Sequence, residues 1–519
     1  MQRIESGERR SVVWFKRDLR LRDHPALHAA FARGGRVRFV YFWERSVRGG
    51  PDASRLQNVA IAEALVDLER ALKARGHSLL IRHAEATEGL AHLHEEWPFD
   101  GLFSHEEIGT NLTWKRDRAV ARWCIAEGVR WMEYAQTGVF RRLRDRGERM
   151  KRWRAFMRGR VLPIPEDAHW RATAADELTS DPLPSVALQN AALLSETLSV
   201  GAHSSDAKHA HSAGGIPELN ERQRTGEADA KATLRSFLRG RAEGYVAGIS
   251  KPLEAQRHGS RLSAHLAWGT VSPRVVFAET ERAIARSRGQ LRRSLEAFRS
   301  RLHWRDHFMQ RLESETAMEH RPLHRAFEHF AYEGNAHLPA FLEGRTGFPM
   351  VDASIRCARE TGFLNFRMRA LVVSAACHLL RIDWRALRDP LAQLWLDYEP
   401  GIHIAQLQMQ AGVVGINALR IYSPARQIDV HDPRAAFVRR WVPELRPFSP
   451  GAIVAHQRSS RPLGDYPPPR VDAAVAGRRM ARDHRRVLRS PEAQATSRAV
   501  AKRHGSRMNR QQPSSSRRR

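Results

Sequence analysis

Residues 11–43 read SVVWFKRDLRLRDHPALHAAFARGGRVRFVYFW. An apolar run, a polar loop, a helical pattern and a second apolar run follow one another here, which predicts a β-α-β unit. Similar apolar runs recur in HSLLIRHA, DGLFSHE and VRWMEYA, separated by helical stretches. We therefore expect a doubly wound parallel sheet with helices on both faces in an α/β domain over residues 10–140. The GxGxxG fingerprint is absent, which argues against ordinary NAD binding.

The remaining chain divides by composition. Residues 171–225 are rich in Ser, Ala, Gly and His and are typical of a linker that need not pack, so we expect a connector over 141–227. The pattern from 228 to 450 is helical nearly throughout and predicts an all-helical domain. Residues 451–519 form a basic extension that is expected to be partly helical, with a disordered tip.

Charge is the most unusual property of the composition. The 519 residues contain 86 Lys and Arg against 57 Asp and Glu, a formal net charge of +29. Such an excess favours a polyanionic partner, either nucleic acid or an anionic membrane surface, although simple solvated basic faces are the alternative. Three widely separated cysteines and no CxxC spacing exclude a zinc ribbon or a four-cysteine iron–sulfur cluster, and we predict no metal site.

The sequence also bounds the compartment. The N-terminal MQRIESGERR has no apolar signal core, and the longest apolar run, ALVVSAACHLL, is too short to span a bilayer. Few cysteines fit a reducing environment. We expect a soluble cytoplasmic protein, acting as a monomer without an obligate protein partner.

In DYEPGIHIAQLQMQAG, residues 397–412, two acidic residues are followed by a long uncharged run. Asp397 and Glu399 precede a lone His403, and the rest of the segment carries no charge. This pattern is typical of an ordinary helix start, but also of the wall of a buried ligand site.

Two further segments carry groups that suit a nucleotide. Tyr245, Ser260 and Ser263 stand among basic residues, where hydroxyls and backbone N–H groups before a helix bind phosphate oxygens, unless the serines are plain helix caps. In FRSRLHWRDHFMQRL, a mixed basic and aromatic helical face is formed by Arg301, Trp304, Arg305 and Phe308. Such a face stacks a base and neutralises a phosphate, or it is a half-buried Trp under Arg stems.

The stretch GFLNFRMR adds aromatic and basic groups at Phe363, Phe366, Arg367 and Arg369. One of its arginines is a candidate ion-pair partner for the acids at 397–399. A buried Arg–carboxylate pair usually serves a site, because it is costly unless fully hydrogen-bonded, whereas a surface pair contributes little.

Taken together, these segments resemble the photolyase/cryptochrome family. VVWFKRDLRLRDHPAL resembles its N-terminal signature, and five later segments match its helical flavin domain in order: GSRLSAHLAWGTVSPR, GRTGFPMVDASIRCARETGF, IDWR, RIYSPARQ and FVRRWVPEL. The resemblance implies an FAD-binding enzyme that uses light to repair UV-induced pyrimidine dimers in DNA. A cryptochrome-like photoreceptor that binds FAD without repairing DNA is the alternative.

The resemblance also implies roles for individual residues. The cofactor-binding positions are Tyr245, Ser260, Leu262, Ser263, Phe298, Arg305, Phe366, Arg369, Asp397, Glu399 and His403. Trp304 and Phe363 correspond to the aromatic residues that clamp the lesion bases, and Arg367 corresponds to a contact with the flanking phosphate. A flipped-out lesion would enter between them.

Four positions depart from the usual family pattern. Arg301 replaces a glutamate that hydrogen-bonds the dimer in the family. The arginine either serves the same electrostatic end with hydrogen-bond donors and a positive charge, or it indicates a different lesion pose. Phe366 replaces an asparagine. His403 stands where an asparagine commonly faces flavin N5, and because histidine titrates near neutral pH it is expected to tune the flavin, unless it is a neutral His held by backbone. Leu407 replaces the flavin-proximal Trp of the electron relay.

The middle position of that relay is retained as Trp384, and the outer position has no Trp. We therefore expect another electron-transfer route, through Trp395, Tyr398 or Tyr422. The wording of residues 397–424 resembles a bacterial branch associated with dimers in single-stranded DNA. An antenna chromophore of folate or deazaflavin type is an open expectation, with Glu106 and Glu107 as candidate contacts.

Overall fold

The computed structural model describes residues 9–143, 145–172, 178–183, 222–333 and 335–505. Its first part is one parallel sheet with strand order β3-β2-β1-β4-β5. The strands are β1 (Arg10–Phe15), β2 (Arg36–Phe42), β3 (Leu79–Arg82), β4 (Gly101–His105) and β5 (Arg130–Tyr134). The accompanying helices are α1 (Pro25–Arg33), α2 (Arg45–Arg48), α3 (Arg55–Lys73), α4 (Ala86–Glu96) and α5 (Asn111–Ala126).

Burial of both faces explains why the strands read as continuous apolar runs. In β1, Val13 and Phe15 lie in one apolar cluster with residues of α1 and α3. Val12 and Trp14 point the other way, into a second cluster with residues of α4 and α5. Alternate side chains of one strand thus enter two cores, as a doubly wound sheet requires. The predicted α/β fold is confirmed.

The rest of the described chain is helical. Its helices are α6 (Arg149–Met157), α7 (Asp167–Ala172), α8 (Glu227–Arg239), α9 (Tyr245–Gly248), α10 (Pro252–His258), α11 (Ser263–Ala267), α12 (Pro273–Arg286), α13 (Gly289–Ser314), α14 (Leu338–Glu343), α15 (Pro349–Thr361), α16 (Phe366–Ser374), α17 (Trp384–Gln393), α18 (Pro400–Gln410), α19 (Pro424–His431), α20 (Ala436–Trp441), α21 (Pro450–His456), α22 (Ala473–Val487) and α23 (Pro491–His504). None of the helices that the structure describes is long and apolar enough to cross a membrane.

Most of the predicted linker, 171–225, lies outside the described residues. Its end is packed, however. Arg222 pairs with Glu63, and the Gln223 Nε2 donates to the Arg261 carbonyl over 2.7 Å. The expectation that the linker need not pack is therefore wrong for residues 222–225, because their polar side chains satisfy buried groups of both parts of the protein.

The basic extension packs on the helical core as far as residue 505. In α22, Met480 is buried and the His484 Nε2 donates to the Gly412 carbonyl over 2.9 Å. In α23, Val500 joins an apolar cluster with Leu312 of α13. The tip, from residue 506 onward, lies outside the described residues.

A close approach of two helices fixes the middle of the helical region. A Cβ on Gly401, in α18, would stand 2.7 Å from the Met309 Cα in α13. Any larger residue would push the backbones apart, so glycine is required for α18 to pack against α13.

Two polar side chains after β1 tie the sheet to the helices. Arg17 donates to the carbonyls of Ala267, over 3.0 Å, and Tyr398, and its guanidinium carbon lies 4.5 Å from the Trp268 ring centroid. Asp23 accepts bonds from Nη2 and Nε of Arg274, at 2.6 and 3.0 Å, and from the Ser272 hydroxyl. The Asp23 side chain is 1% exposed.

Replacing Asp23 with Asn should destabilise the protein. Burial favours the protonated form, but the Ser272 hydrogen bond and the charges of Arg20 and Arg274 outweigh it, so the pKa of Asp23 lies below its usual value. D23N leaves Arg274 without its partner, which should cost about 3 kcal/mol at pH 7 in urea unfolding.

The same contribution should depend on pH. A lowered folded-state pKa stabilises above the unfolded pKa of about 4 and is lost as pH falls through the folded value. The difference between wild type and D23N should therefore shrink below about pH 4. D465N, at an exposed position, is the matched control. Equal stability of D23N and D465N would contradict this role for Asp23.

Candidate flavin and DNA site

The predicted pair between Arg369 and Asp397 is present. The Arg369 Nη2 lies 2.8 and 3.0 Å from the two carboxylate oxygens, and its Nε donates to the Leu364 carbonyl over 2.7 Å. The guanidinium carbon also lies 4.3 Å from the Trp395 ring centroid. The side chain of Asp397 is 11% exposed, so the pair is largely shielded from water. Segments 362–369 and 397–399, distant in sequence, thus meet at one point.

Arg261 is a functional candidate that the sequence analysis missed. Its backbone is left-handed, with φ of 59°, and its guanidinium carbon lies 3.7 Å from the Phe363 ring centroid. The residue is buried, and its Nε has no hydrogen-bond partner among the described residues. Burial lowers the pKa of Arg261 to about 10, opposed by the charge of Asp397. The sequence signal that could have identified Arg261 is its position in GSRLS, between Ser260 and Ser263, which were selected as phosphate-binding candidates.

A buried cation with an orphaned donor needs an anion or an acceptor. Arg261 and the Arg369–Asp397 pair together present a guanidinium, a second guanidinium and a carboxylate around Phe363. Such a set fits a ligand that carries phosphates and a hydrogen-bonding ring system. FAD has both.

Glu399 has a partner of its own. Its Oε2 accepts a bond from the Arg305 Nη2 over 3.2 Å, and Arg305 also bonds Asp306 and the Leu266 carbonyl. Burial raises the pKa of Glu399, and the charges of Arg17 and Arg305 oppose that rise. Arg305 therefore points inward and not along the exposed face of α13 that the spacing predicted.

Three of the predicted cofactor residues cluster together. Tyr245, Leu262 and Phe298 share one apolar core, with 5.8 Å between the Tyr245 and Phe298 ring centroids. Burial raises the pKa of Tyr245 to about 12, opposed by the charge and hydrogen bonding of Arg301.

The two serines have simpler surroundings. The Ser260 Oγ accepts the Leu262 N–H over 3.4 Å, a local turn contact, and the segment is held by Arg241, which donates to the Ser260 carbonyl over 3.3 Å. Ser263 is exposed at the start of α11. Contacts from either serine to a cofactor stay a prediction.

The candidate lesion residues lie at the surface of the helical region. Trp304 is half-buried and stacks on Phe308, with ring centroids 5.9 Å apart and planes inclined by 29°. Phe363 is half-buried over Arg261. Phe366 is 55% exposed at the start of α16, and its contact with a cofactor stays a prediction.

Two arginines complete this surface. Arg301 is exposed on α13. Arg367 is half-buried, with its guanidinium carbon 5.8 Å from the Tyr422 ring centroid. Both remain accessible to a phosphate or a base, so their DNA-binding role stays a prediction.

His403 corrects one expectation. Its Nε2 donates to the Arg388 carbonyl over 2.7 Å, and its ring packs edge-on against Tyr398 at 5.5 Å. Burial lowers the pKa of His403 to about 4, and the hydrogen bond to Arg388 opposes this only in part. His403 is neutral at pH 7, so the expected titration near neutral pH is wrong, because burial disfavours the charged ring.

The candidate electron carriers are buried together. Trp384, Trp395, Tyr398 and Leu407 lie in the main apolar core of the helical region. The Tyr398 hydroxyl donates to Asp52 of the α/β domain over 2.7 Å. Trp395 contacts Arg369 directly, as described above. Trp395 therefore joins the Arg369–Asp397 pair to this core.

A separate cavity lies in the α/β domain, beyond the carboxyl ends of β2 and β3. It has a volume of about 710 Å³ and includes Trp43, Arg45, Arg55 and His83 in its lining. Glu106 and Glu107 do not line it. Glu107 instead forms an ion pair with Arg116, with 2.7 Å between Oε2 and Nη2, so its carboxylate already has a partner inside the protein. An antenna chromophore stays a prediction.

Comparison with known proteins shows which families the sequence matches. Residues 11–151 match the family model described as DNA photolyase, and residues 298–486 match the FAD binding domain of DNA photolyase. A deoxyribodipyrimidine photo-lyase of Thermus thermophilus is 30% identical over 468 residues, which covers 87% of this chain and 96% of the relative. The Escherichia coli K12 protein of that name is 28% identical, covering 89% of this chain and 95% of its own.

Solved structures agree. A bacterial class III photolyase from Agrobacterium tumefaciens aligns with a TM-score of 0.76 at 25% identity, over 94% of this chain and 99% of its own. A cryptochrome from Synechocystis shares the fold, with a TM-score of 0.75 at 20% identity, over 92% of this chain and all of its own. The chain therefore belongs to the photolyase/cryptochrome family, and residues 298–486 are its FAD-binding domain.

Proposed function

We propose that the protein repairs cyclobutane pyrimidine dimers in DNA in a light-driven reaction that depends on FAD. The observation that carries the proposal is the buried Arg261. Its Nε has no partner among the described residues, the charge of Asp397 acts on it, and its guanidinium lies over the Phe363 ring, which supports an anionic cofactor beside a ring suited to a base. The relatives named as photo-lyases support the same activity.

FAD, when bound and reduced, supplies the light-excited electron that splits the dimer. The chain's own residues hold and orient it. Arg261 and Arg369 donate hydrogen bonds, and Asp397 keeps Arg369 in place. The apolar cluster of Tyr245, Leu262 and Phe298 excludes water from the pocket wall.

The variant D397N tests the cofactor pocket. Asn keeps the shape of the side chain but removes the charge that orients Arg369, so FAD binding should weaken by about 2 kcal/mol. The ratio of flavin to protein absorbance in the purified protein measures the loss. D429N, at an exposed position on α19, should keep the wild-type ratio. Full flavin content in D397N would remove Asp397 from the pocket.

The lesion enters between aromatic side chains in this proposal. Trp304 and Phe363 stack on the flipped bases, whereas Arg301 and Arg367 meet the phosphates and the lesion edge. An unpaired strand costs less to unstack, which supports a preference for single-stranded DNA.

Repair is measured as dimer loss under blue light, with reduced protein and oligonucleotides that contain one dimer. Wild type should act on single-stranded substrate at least as fast as on duplex. W304A should bind the lesion about tenfold more weakly, because base stacking on an aromatic ring contributes about 1–3 kcal/mol. W304F should retain most of the binding.

The same assay separates repair from signalling. Absence of dimer loss on both strand forms, in protein with a full flavin spectrum, would overturn the repair function and favour a photoreceptor. Equal lesion binding by W304A and wild type would exclude Trp304 from the lesion site.

We further propose that Trp395 is the carrier next to the cofactor pocket on the route that delivers electrons to it. It contacts Arg369 and lies in the same core as Trp384 and Tyr398. The leucine at 407 cannot carry an electron, which supports a route that bypasses it.

Photoreduction of the bound flavin, followed by its absorbance, tests the route. W395F should slow it several-fold, and W384F or Y398F should slow it if the route continues through them. W441F, at the edge of the same core, is the control. Unchanged rates in all three variants would show that electrons take another path.

A further inference from the structure

Six basic side chains gather where α6 and α23 meet α13. We call this group the basic cluster; its members are Arg146, Arg149, His303, His307, Arg311 and His504. Arg149 is 4% exposed and Arg311 is 3% exposed. The cluster joins three segments that are far apart in the sequence.

The two buried arginines have more donors than acceptors. Nη1 of Arg149 donates to the His303 Nε2 over 2.9 Å, but its Nε and Nη2 have no partner among the described residues. The Nε of Arg311 donates to the His504 carbonyl over 3.3 Å, and its Nη1 is likewise without a partner in the described chain. Buried guanidinium groups are rarely left in this state.

His303 and His307 each accept one bond from an arginine and leave one N–H donor without a partner among the described residues. Because Arg149 can only donate, the His303 Nε2 is an acceptor, and a neutral ring carries its proton on Nδ1. By the same argument, the His307 Nδ1 accepts from the Arg146 Nη2 over 3.1 Å, and its proton lies on Nε2. Neither protonated nitrogen has a partner among the residues described.

Neither Arg149 nor Arg311 forms an ion pair with a carboxylate of the described chain. Asp306 is the acid that stabilises the charge of Arg149, but it is engaged elsewhere: its Oδ2 accepts bonds from the Trp153 Nε1 and the Gly138 N–H, at 2.9 and 3.0 Å. Burial lowers the pKa of both Arg149 and Arg311 to about 10. The charges of Arg149 and Arg311 are therefore buried near each other, and neither is ion-paired within the described residues.

The cluster is distinct from the flavin pocket. His303, His307 and Arg311 lie on one face of α13, whereas Phe298, Arg301 and Arg305 lie on the opposite face by helical periodicity. An anion bound at the cluster would thus contact the side of α13 that faces α6 and α23.

We propose that the basic cluster is a binding site for a small oxyanion, the phosphate group of a small molecule or free phosphate. Converging guanidinium and imidazole N–H groups match the oxygens of a tetrahedral anion. The depth of Arg149 and Arg311 excludes a nucleic-acid backbone, which binds exposed side chains. The site would join α6 and the C-terminal helix to α13. The inference does not rest on the proposed repair activity.

Inorganic phosphate is the probe, titrated into the full-length holoprotein by calorimetry at constant ionic strength. We expect saturable binding and a rise in melting temperature that chloride does not reproduce. R149Q and R311Q should each weaken binding at least about tenfold, the loss expected for a charged hydrogen bond. R293Q, exposed on α13, should bind as wild type does.

A second readout separates binding from structural support. In phosphate-free buffer, R311Q should melt at or above the wild-type temperature, because it removes a buried charge without a counterion. A structural arginine would instead give a lower melting temperature. R311K keeps the charge but loses the guanidinium fork, and should bind phosphate with intermediate affinity.

Three outcomes would overturn the proposal: no saturable phosphate binding, wild-type affinity in R149Q and R311Q, or melting of R311Q below wild type in the absence of phosphate. Competition uses a single-stranded oligonucleotide without terminal phosphates, which should not displace phosphate. Displacement would show that the cluster binds nucleic-acid backbone and would reject the small oxyanion.

Discussion

The architecture depends on Arg17, the residue that follows β1 by two positions. Its guanidinium reaches out of the carboxyl edge of the sheet, donates to the carbonyls of Ala267 and Tyr398, and stacks on Trp268. In a doubly wound sheet this edge is the usual ligand crevice. Here Ala267, Trp268 and Tyr398 of the helical region pack against it beside β1. Arg17 donates to the carbonyl of Tyr398, which lies between Asp397 and Glu399. This contact therefore positions both acids relative to the sheet.

Buried positive charge is a second theme of the structure. Arg261, Arg149 and Arg311 are all buried with donors that lack partners in the described chain. Each would weaken the folded state if it stayed unpaired, because a desolvated charge is costly. A bound anion reverses the sign of this effect, since a ligand that binds only the native state stabilises it. Bound anionic ligands would therefore contribute to the stability of the folded protein as well as to its function.

The sequence predicted the sheet because burial on both faces leaves long runs of apolar residues, as in β1. It predicted the Arg369–Asp397 pair because both residues lie in motifs that resemble the family. Arg261 was missed since hydroxyl groups were sought around it. The inward direction of Arg305 depends on Glu399, nearly a hundred residues away, and cannot be read from helical spacing.

Environment was the property hardest to predict. His403 was expected to titrate near neutral pH, but its pKa depends on burial and on the Arg388 carbonyl, which only the fold brings near. The basic cluster is a stronger case. Arg149, Arg311 and His504 belong to three separate segments, and each alone is an ordinary basic residue in a very basic chain.

The contact between Tyr398 and the α/β domain bears on the order in which the protein is built. The hydroxyl of Tyr398 bonds Asp52 and its carbonyl bonds Arg17, both synthesised hundreds of residues earlier. N-terminal domains generally fold first as a chain leaves the ribosome. The segment that carries Asp397 and Glu399 is thus synthesised after the α/β domain has folded, and that domain can position this part of the proposed flavin pocket. A helical region expressed without the α/β domain would lack the contacts of Tyr398 with Asp52 and Arg17 that hold this segment.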